Sequence, residues 1–299
     1  MATTTSITST YAGEHAGEWI SAMLNEAASL NHITVKENIK HKRVVKKLAD
    51  TVSFADETCD FTPTGTVTVT ERILAPERLE LNKQLCKKDF VSDWNALEMG
   101  FGRNSESLPS SVEEYFISHQ IAGAGAALET IIWQGVTATA GEFDGIETNL
   151  LADADVNDVA TPVALSAANI VSKMEASLDV LGSAVLGAQE KPAIYMGVEA
   201  VRFYRRAMFA LGYLDQYYAG NIPLVFDGFE IKECPGMSDD TIVVAQPSNL
   251  WFGTDLLSDL NEVGVKDMSD QGEQNVRFWM QFSGGTQHGI GGDIALYQA

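Results

Sequence analysis

Ile222-Pro223-Leu224-Val225-Phe226-Asp227-Gly228-Phe229-Glu230-Ile231, then Cys234-Pro235-Gly236-Met237-Ser238, then Asn249-Leu250-Trp251-Phe252-Gly253-Thr254-Asp255-Leu256 form the stretch on which the fold turns. From Ile222 to Tyr297 the texture is short strands, turns and one helical turn. Upstream it becomes helical. Val198 to about Leu211 reads as a helix, and Ala193-Ile194-Tyr195-Met196 before it reads as a short buried strand. Ala164 to Leu181 carries Ile170, Val171, Met174, Leu178 and Leu181 at helical spacing, behind an acidic loop from Asn149 to Thr161.

Further toward the N-terminus, Leu108-Pro109-Ser110-Ser111-Val112-Glu113-Glu114 has the marks of a helix start, with serine as cap and glutamates in the first turn. The pattern continues through Tyr115, Phe116, His119, Leu128, Ile131, Ile132 and Trp133 to Gly135. That predicts a helix of about 24 residues, about 36 Å long. Its middle, Ala122 to Ala127, is all alanine and glycine, which lets another backbone approach closely. Arg43 to Phe54 and Gly65 to Leu74 are β-branched and partly alternating, so they predict two strands of a long hairpin with a polar tip. A lone two-stranded hairpin is marginal in water, so this one is expected to lean on another subunit. Gly13 to Leu30 places Ala16, Trp19, Ile20, Met23, Leu24, Ala27 and Ala28 on one face of a short amphipathic helix.

The composition bounds what such a chain can do. Its 299 residues are 45% hydrophobic and 20% charged, ordinary globular usage, and excludes a disordered or fibrous chain. Length allows one large or two ordinary domains. No run approaches the roughly 18 apolar residues of a membrane span, and Met1 to Thr10 lacks a basic and apolar signal pattern. Cys59, Cys86 and Cys234 are too scattered for a disulfide framework, which suits a reducing compartment. The net charge is -21, and its distribution matters more than its size. Residues 1–88 hold 11 basic and 11 acidic side chains, so the whole excess falls in residues 89–299. Lys36, Lys40, Lys42, Arg43, Lys46 and Lys47 form a basic cluster broken only by Glu37. Beside an acidic body it suggests self-association between copies, with a solvated face as the plainer reading. The acidic body argues against duplex nucleic acid as a tight direct ligand.

Chemical motifs are incomplete throughout. Gly123-Ala124-Gly125-Ala126-Ala127-Leu128 lies inside a helix, not at the strand-to-helix turn of a dinucleotide fingerprint. Ser283-Gly284-Gly285-Thr286-Gln287-His288-Gly289-Ile290-Gly291-Gly292 lacks the lysine of a phosphate loop and reads as two glycine turns around a short strand. Asp153, Asp155 and Asn157 imitate a calcium loop, but Asp158 stands where glycine is needed and Ala164 where the bidentate glutamate belongs. His15, His32, His41, His119 and His288 never pair at metal spacing. No GxSxG elbow occurs, and no carboxylate pair is singled out. Arg202, Arg205 and Arg206 with Phe203 and Tyr204 read as an interface or solvated helix face before a nucleic-acid patch. No catalytic, cofactor or metal residue is therefore assigned.

The opening stretch resembles the C-terminal region of tailed-phage major capsid proteins of the Hong Kong 97 type. So does the close, Asn275-Val276-Arg277-Phe278-Trp279-Met280-Gln281-Phe282 to Asp293-Ile294-Ala295-Leu296-Tyr297, and Phe143-Asp144-Gly145-Ile146-Glu147-Thr148 is similar to the lead-in of their axial domain. The motifs cover roughly residues 143–299; residues 1–142 match by order of elements. The resemblance implies an α+β Hong Kong 97-type capsid fold: N-terminal arm (1–40), E-loop hairpin (41–90), peripheral domain with spine helix (91–144), axial domain (145–260) and peripheral return strands (261–299). The hairpin begins near residue 43, leaving no room for the scaffolding extension some relatives carry, so a separate scaffold protein is expected. Lys83, Lys87 and Lys88 lie near the hairpin, but nothing aligns a crosslinking partner, and no crosslink is expected.

What the resemblance implies about function is a subunit that self-assembles, as hexamers and pentamers, into an icosahedral shell around double-stranded DNA, without sequence-specific binding. Portal and decoration proteins would be further partners. The virion would be its place, after synthesis in the host cytoplasm, with no membrane and no cofactor. The alternatives are an encapsulin-like nanocompartment shell and an acidic α+β hydrolase. The candidate contacts between subunits are Trp19, Ile20, Met23 and Leu24 on the arm, and Lys42, Arg43, Lys46 and Lys47 at the hairpin base.

Overall fold

The computed structural model describes Met23 and residues 27–50, 54, 56, 67–86, 110–212, 224–255, 262–268, 271–273 and 275–299. A 3-10 turn (Ala28–Asn31) leads into β1 (Thr34–Lys36), β2 (Arg43–Asp50), β3 (Val67–Leu74) and β4 (Glu77–Cys86). Then come α1 (Ser110–Gln134), α2 (Ile146–Leu151), β5 (Asn157–Asp158), α3 (Ile170–Asp179), α4 (Ser183–Leu186), β6 (Ala193–Met196) and α5 (Val198–Ala210). The remaining strands are β7 (Val225–Phe226), β8 (Phe229–Glu233), β9 (Thr241–Ala245), β10 (Leu250–Thr254), β11 (Glu262–Asp267), β12 (Asn275–His288) and β13 (Ala295–Gln298). The mixture is α+β, and no described helix is long and apolar enough to cross a membrane.

Among the described residues the strands form three sheets. In the first, β12 is the hub: β4 pairs with it antiparallel on one side, while β11 and β10 pair antiparallel with successive parts of it, and β1 adds to β10 in parallel. The second runs β5-β13-β9-β6-β8-β7. The third is the β2–β3 hairpin alone. The two larger sheets interleave in sequence, since β10 joins the first and β13 the second.

Residues of the opening stretch account for one turn directly. Phe226 faces Phe229 across a two-residue loop, and Asp227 (φ 50) and Gly228 (φ 82) are both left-handed. That is the turn whose twist suits an antiparallel pair, and aspartate-glycine is the dipeptide that enters it most cheaply.

Side-chain alternation then divides the core. The faces of β6 and β9 point opposite ways: Tyr195, Val243 and Ala245 pack into a cluster with Ile132 and Trp133 of α1, Phe252 and Phe278. Ile194, Met196, Ile242 and Val244 pack against Ile170, Met174 and Leu178 of α3 and Val201 and Tyr204 of α5. A strand covered on both faces reads as a continuous apolar run, which is why Ala193–Met196 is buried throughout.

Two sequence expectations are corrected. The glycine-rich run is not two turns around a short strand: Ser283–His288 is the end of the 14-residue β12. A Cβ on Gly285 would stand 3.0 Å from the Pro76 Cα, and one on Gly284 3.1 Å from the Phe143 ring, so these glycines admit neighbours rather than bend the chain. The helix expected from Ala164 starts only at Ile170. Asn169 explains the delay, because its side-chain oxygen accepts the Ser166 N–H (2.7 Å) and its amide donates to the Ala164 carbonyl (2.9 Å).

Candidate functional site

In the β2–β3 hairpin, Val44 faces Ile73 and Lys46 faces Glu71, and Val69 and Val67 follow Glu71 at two-residue steps, so these side chains share one side of the ribbon. On that side Val44 is 48% exposed, Ile73 43%, Val69 58% and Val67 57%. Four β-branched apolar residues thus stand in water on a ribbon that pairs with no other described strand. Fully burying such side chains would contribute about 1.5–3 kcal/mol each. This face is unsatisfied in a single chain.

The hairpin's root is firmly held. Leu74 is fully buried and packs with Ile39 and Trp251. Lys36 lies with its ammonium 3.3 Å above the Trp251 ring, a cation–π contact. Burial and then the charge of Arg43 lower the Lys36 pKa. On the opposite face of the ribbon Arg72 is bonded to Asp153, which also accepts from His288 Nε2 at 2.7 Å. Asp153, read in sequence as a false calcium position, is thus committed to ion pairing within the chain.

The Cys234–Ser238 segment is clamped by two buried glutamates. Glu129 of α1 accepts from the Gly236 N–H (3.3 Å), the Ser29 N–H (3.0 Å) and the Ser29 hydroxyl, which in turn accepts from Trp133 Nε1 (2.7 Å). Glu147 of α2 accepts from the Ser238 N–H (2.9 Å) and hydroxyl. Gly236 lies so close to α1 that a Cβ would sit 2.0 Å from the Glu129 carbonyl oxygen, so only glycine fits without a shift. Burial pushes the Glu147 carboxyl up, against the opposing Ser238 bonds, and pushes the Cys234 thiol up to about 12. A thiol held protonated is inert as a nucleophile. These carboxylates serve as clamps, each bonded to donors from the chain itself.

A cleft of about 430 Å³ lies between His32, Thr34, Lys191, Glu230 and Lys232. Lys232 is paired with Glu230 at 2.6 Å, and His32 is held below its usual value by burial and by Lys232. Its Thr34 hydroxyl is spent on the Pro247 carbonyl, to which it donates at 2.9 Å. Among the described residues no three His, Cys, Asp or Glu side chains are placed to hold a metal.

The candidate contact residues divide three ways. Trp19, Ile20 and Leu24 lie outside the described residues. Met23 is fully enclosed in this chain's own core with Ala27, Leu30 and Ile33, so its burial needs no neighbour. Lys42, just before β2, and Arg43 and Lys46 on it are exposed, and Lys47 is half-exposed. Sequence reasoning missed the two clamps and the Arg72–Asp153–His288 group, whose partners are 81 to 135 positions apart in the chain. The one available signal was that Phe143–Thr148 and Cys234–Ser238 were both singled out; Glu147 and Ser238 join them.

No family model matches the chain, and no curated protein matches it. Solved structures do. The capsid of a native GTA particle superposes with a TM-score of 0.65 at 13% identity, over 91% of this chain and 90% of that one. The cyanophage A-1(L) capsid gives 0.59 at 12% identity, over 92% of each chain. The procapsid of satellite phage P4, which includes a size determination protein, gives 0.57 at 10% identity, over 94% of this chain and 98% of that one. The chain has the phage-capsid fold along nearly its whole length.

Proposed function

We propose that this chain is a major capsid protein, a subunit that self-assembles as hexamers and pentamers into an icosahedral shell around double-stranded DNA. Its role is structural rather than catalytic. The observation that carries this reading is the hairpin: a ribbon with four exposed apolar residues on one face and a fixed root, in a chain whose fold is that of capsids over about nine tenths of its length. Such a face is satisfied by a second copy, and obligate interfaces of this kind bury on the order of 2,000–5,000 Å². In this reading β2–β3 is the E-loop, α1 the spine helix, the sheet around β12 the peripheral domain and the sheet around β9 the axial domain. Lys42, Arg43, Lys46 and Lys47 meet a neighbour's acidic body. Scaffold, portal and decoration proteins are the further partners of such a shell.

Electron microscopy and light scattering of the expressed protein test it. Closed shells are expected from the natural sequence, and their nucleic-acid content separates a genome container from a nanocompartment. The paired change Val44→Lys and Val69→Lys, both at exposed positions, should leave circular dichroism and melting unchanged while abolishing shells. A protein that stays monomeric at high concentration, with its hairpin protected from proteolysis, would refute the reading.

A further inference from the structure

We propose that Arg72, Asp153 and His288 form a proton-sensitive latch that fixes the β2–β3 hairpin against the body of its own chain.

Two short connectors join the hairpin to the rest of the chain: residues 37–42, which contain Asn38 in the left-handed region (φ 60), and Ala75-Pro76 between β3 and β4. Neither is helix or strand, so angular change would concentrate there. Beyond the buried Leu74, side-chain hydrogen bonds tie β3 to the body. Arg72 pairs with Asp153 in the turn after α2, and Gln287 Nε2 donates to the Ile73 carbonyl at 3.4 Å, a long bond. The first is the strong one.

The carboxylate at its centre is crowded. One oxygen, Oδ2, receives both the Arg72 guanidinium and the His288 imidazole, and Oδ1 accepts from the Asp155 N–H at 3.2 Å. Gly291 closes over it, since a Cβ there would stand 2.7 Å from Oδ2. His288 is 1% exposed. Donating through Nε2 leaves its Nδ1 as a bare acceptor, with no partner among the described residues. In that state the group carries one positive and one negative charge and is balanced.

A second proton on His288 upsets this balance. It places an N–H donor at Nδ1 where nothing accepts, and a second cation beside Arg72 on the same carboxylate oxygen. The charged groups acting on the imidazole are Arg72, from β3, and Asp153, from the turn after α2. Burial lowers the His288 pKa, and Arg72 adds to it, against the bond to Asp153. The sign follows: the neutral form is favoured in the fold, so the latch is whole above the ordinary histidine value and weakens as pH falls below it. Either the imidazole leaves its site or Arg72 lets go. If Arg72 lets go, β3 is freed beyond Leu74, which stays packed with Ile39 and Trp251.

The latch belongs to one chain, so it stands or falls separately from shell formation. Hydrogen exchange of the β2 and β3 amides tests it, read as protection factors corrected for intrinsic rate at about pH 7.5 and about pH 5. Protection at residues 43–47 and 70–73 should fall roughly tenfold or more at the lower pH, while α3 and β6 keep theirs. Unchanged protection in the natural sequence would overturn the proposal. His288→Gln, which can still donate to Asp153 but does not titrate in this range, should show no such fall; if it falls as the natural protein does, the histidine is not the sensor. Arg72→Gln, at a partly exposed position, should show low hairpin protection at both pH values. Retained protection in that variant would equally overturn the latch.

Discussion

Glu147 shows how a single buried side chain can work against the fold at one pH and for it at another. It is 3% exposed and its carboxyl is pushed above the ordinary 4.5 by burial, with Ser238 opposing. A raised carboxyl binds its proton more tightly folded than unfolded. Its contribution is therefore fully present below the ordinary value and is lost as pH rises through the raised one. Glu147→Gln keeps an acceptor for Ser238 and removes the buried charge. At pH 7 the variant should lie within about 1 kcal/mol of the natural protein or be more stable. The natural protein should gain on it as pH falls toward the ordinary value, in urea midpoints compared pairwise. His288 and Asp153 both move the other way, their pKa values being lowered, and cancel in that comparison. A loss above about 3 kcal/mol at pH 7 that shrinks as pH falls would show instead that the negative charge itself holds Ser238.

Among the elements, local pattern was legible and distant partnership was not. The helix expected to run to Gly135 is Ser110–Gln134, the strand at 193–196 has those bounds, and the β-branched runs are β2 and β3. Each announces itself within a few residues through spacing or caps. Ser283–His288 misled because glycines usually mark turns; here they admit Pro76 and Phe143, both far away in sequence. The basic cluster was legible as charge but not as geometry. Lys36 spends its charge on Trp251, whereas Lys46 faces Glu71 across the ribbon. For the hairpin this gives a prediction. On the proposed reading, Lys46→Glu with Lys47→Glu turns an attractive contact with an acidic neighbour into a repulsive one. Exposed pairs contribute ~0–1 kcal/mol each and are screened over about 8 Å at physiological salt. Empty shells should then form poorly at low salt and recover in part as salt is raised. Normal assembly at low salt would mean that these lysines face solvent or packaged nucleic acid.

At the scale of the whole molecule, the two larger sheets share one cluster, in which Trp133, Tyr195, Phe252 and Leu296 meet. β13 is an inner strand of the second: it lies between β5 and β9, and Ile294 and Tyr297 are fully buried. Removing residues 295–299 should therefore abolish cooperative unfolding of the chain, not merely lower its midpoint, because β9 loses a partner and both clusters lose side chains. A truncated chain that still melts in one sharp step would contradict this. The same position has a consequence for synthesis. A ribosome delivers β5 and β9 well before the strand that belongs between them, so the growing chain cannot complete its central sheet while still being translated through residue 294. For the proposed shell subunit, neighbouring nascent chains are then expected to dock as finished units only after β13 has emerged and taken its place beside β9.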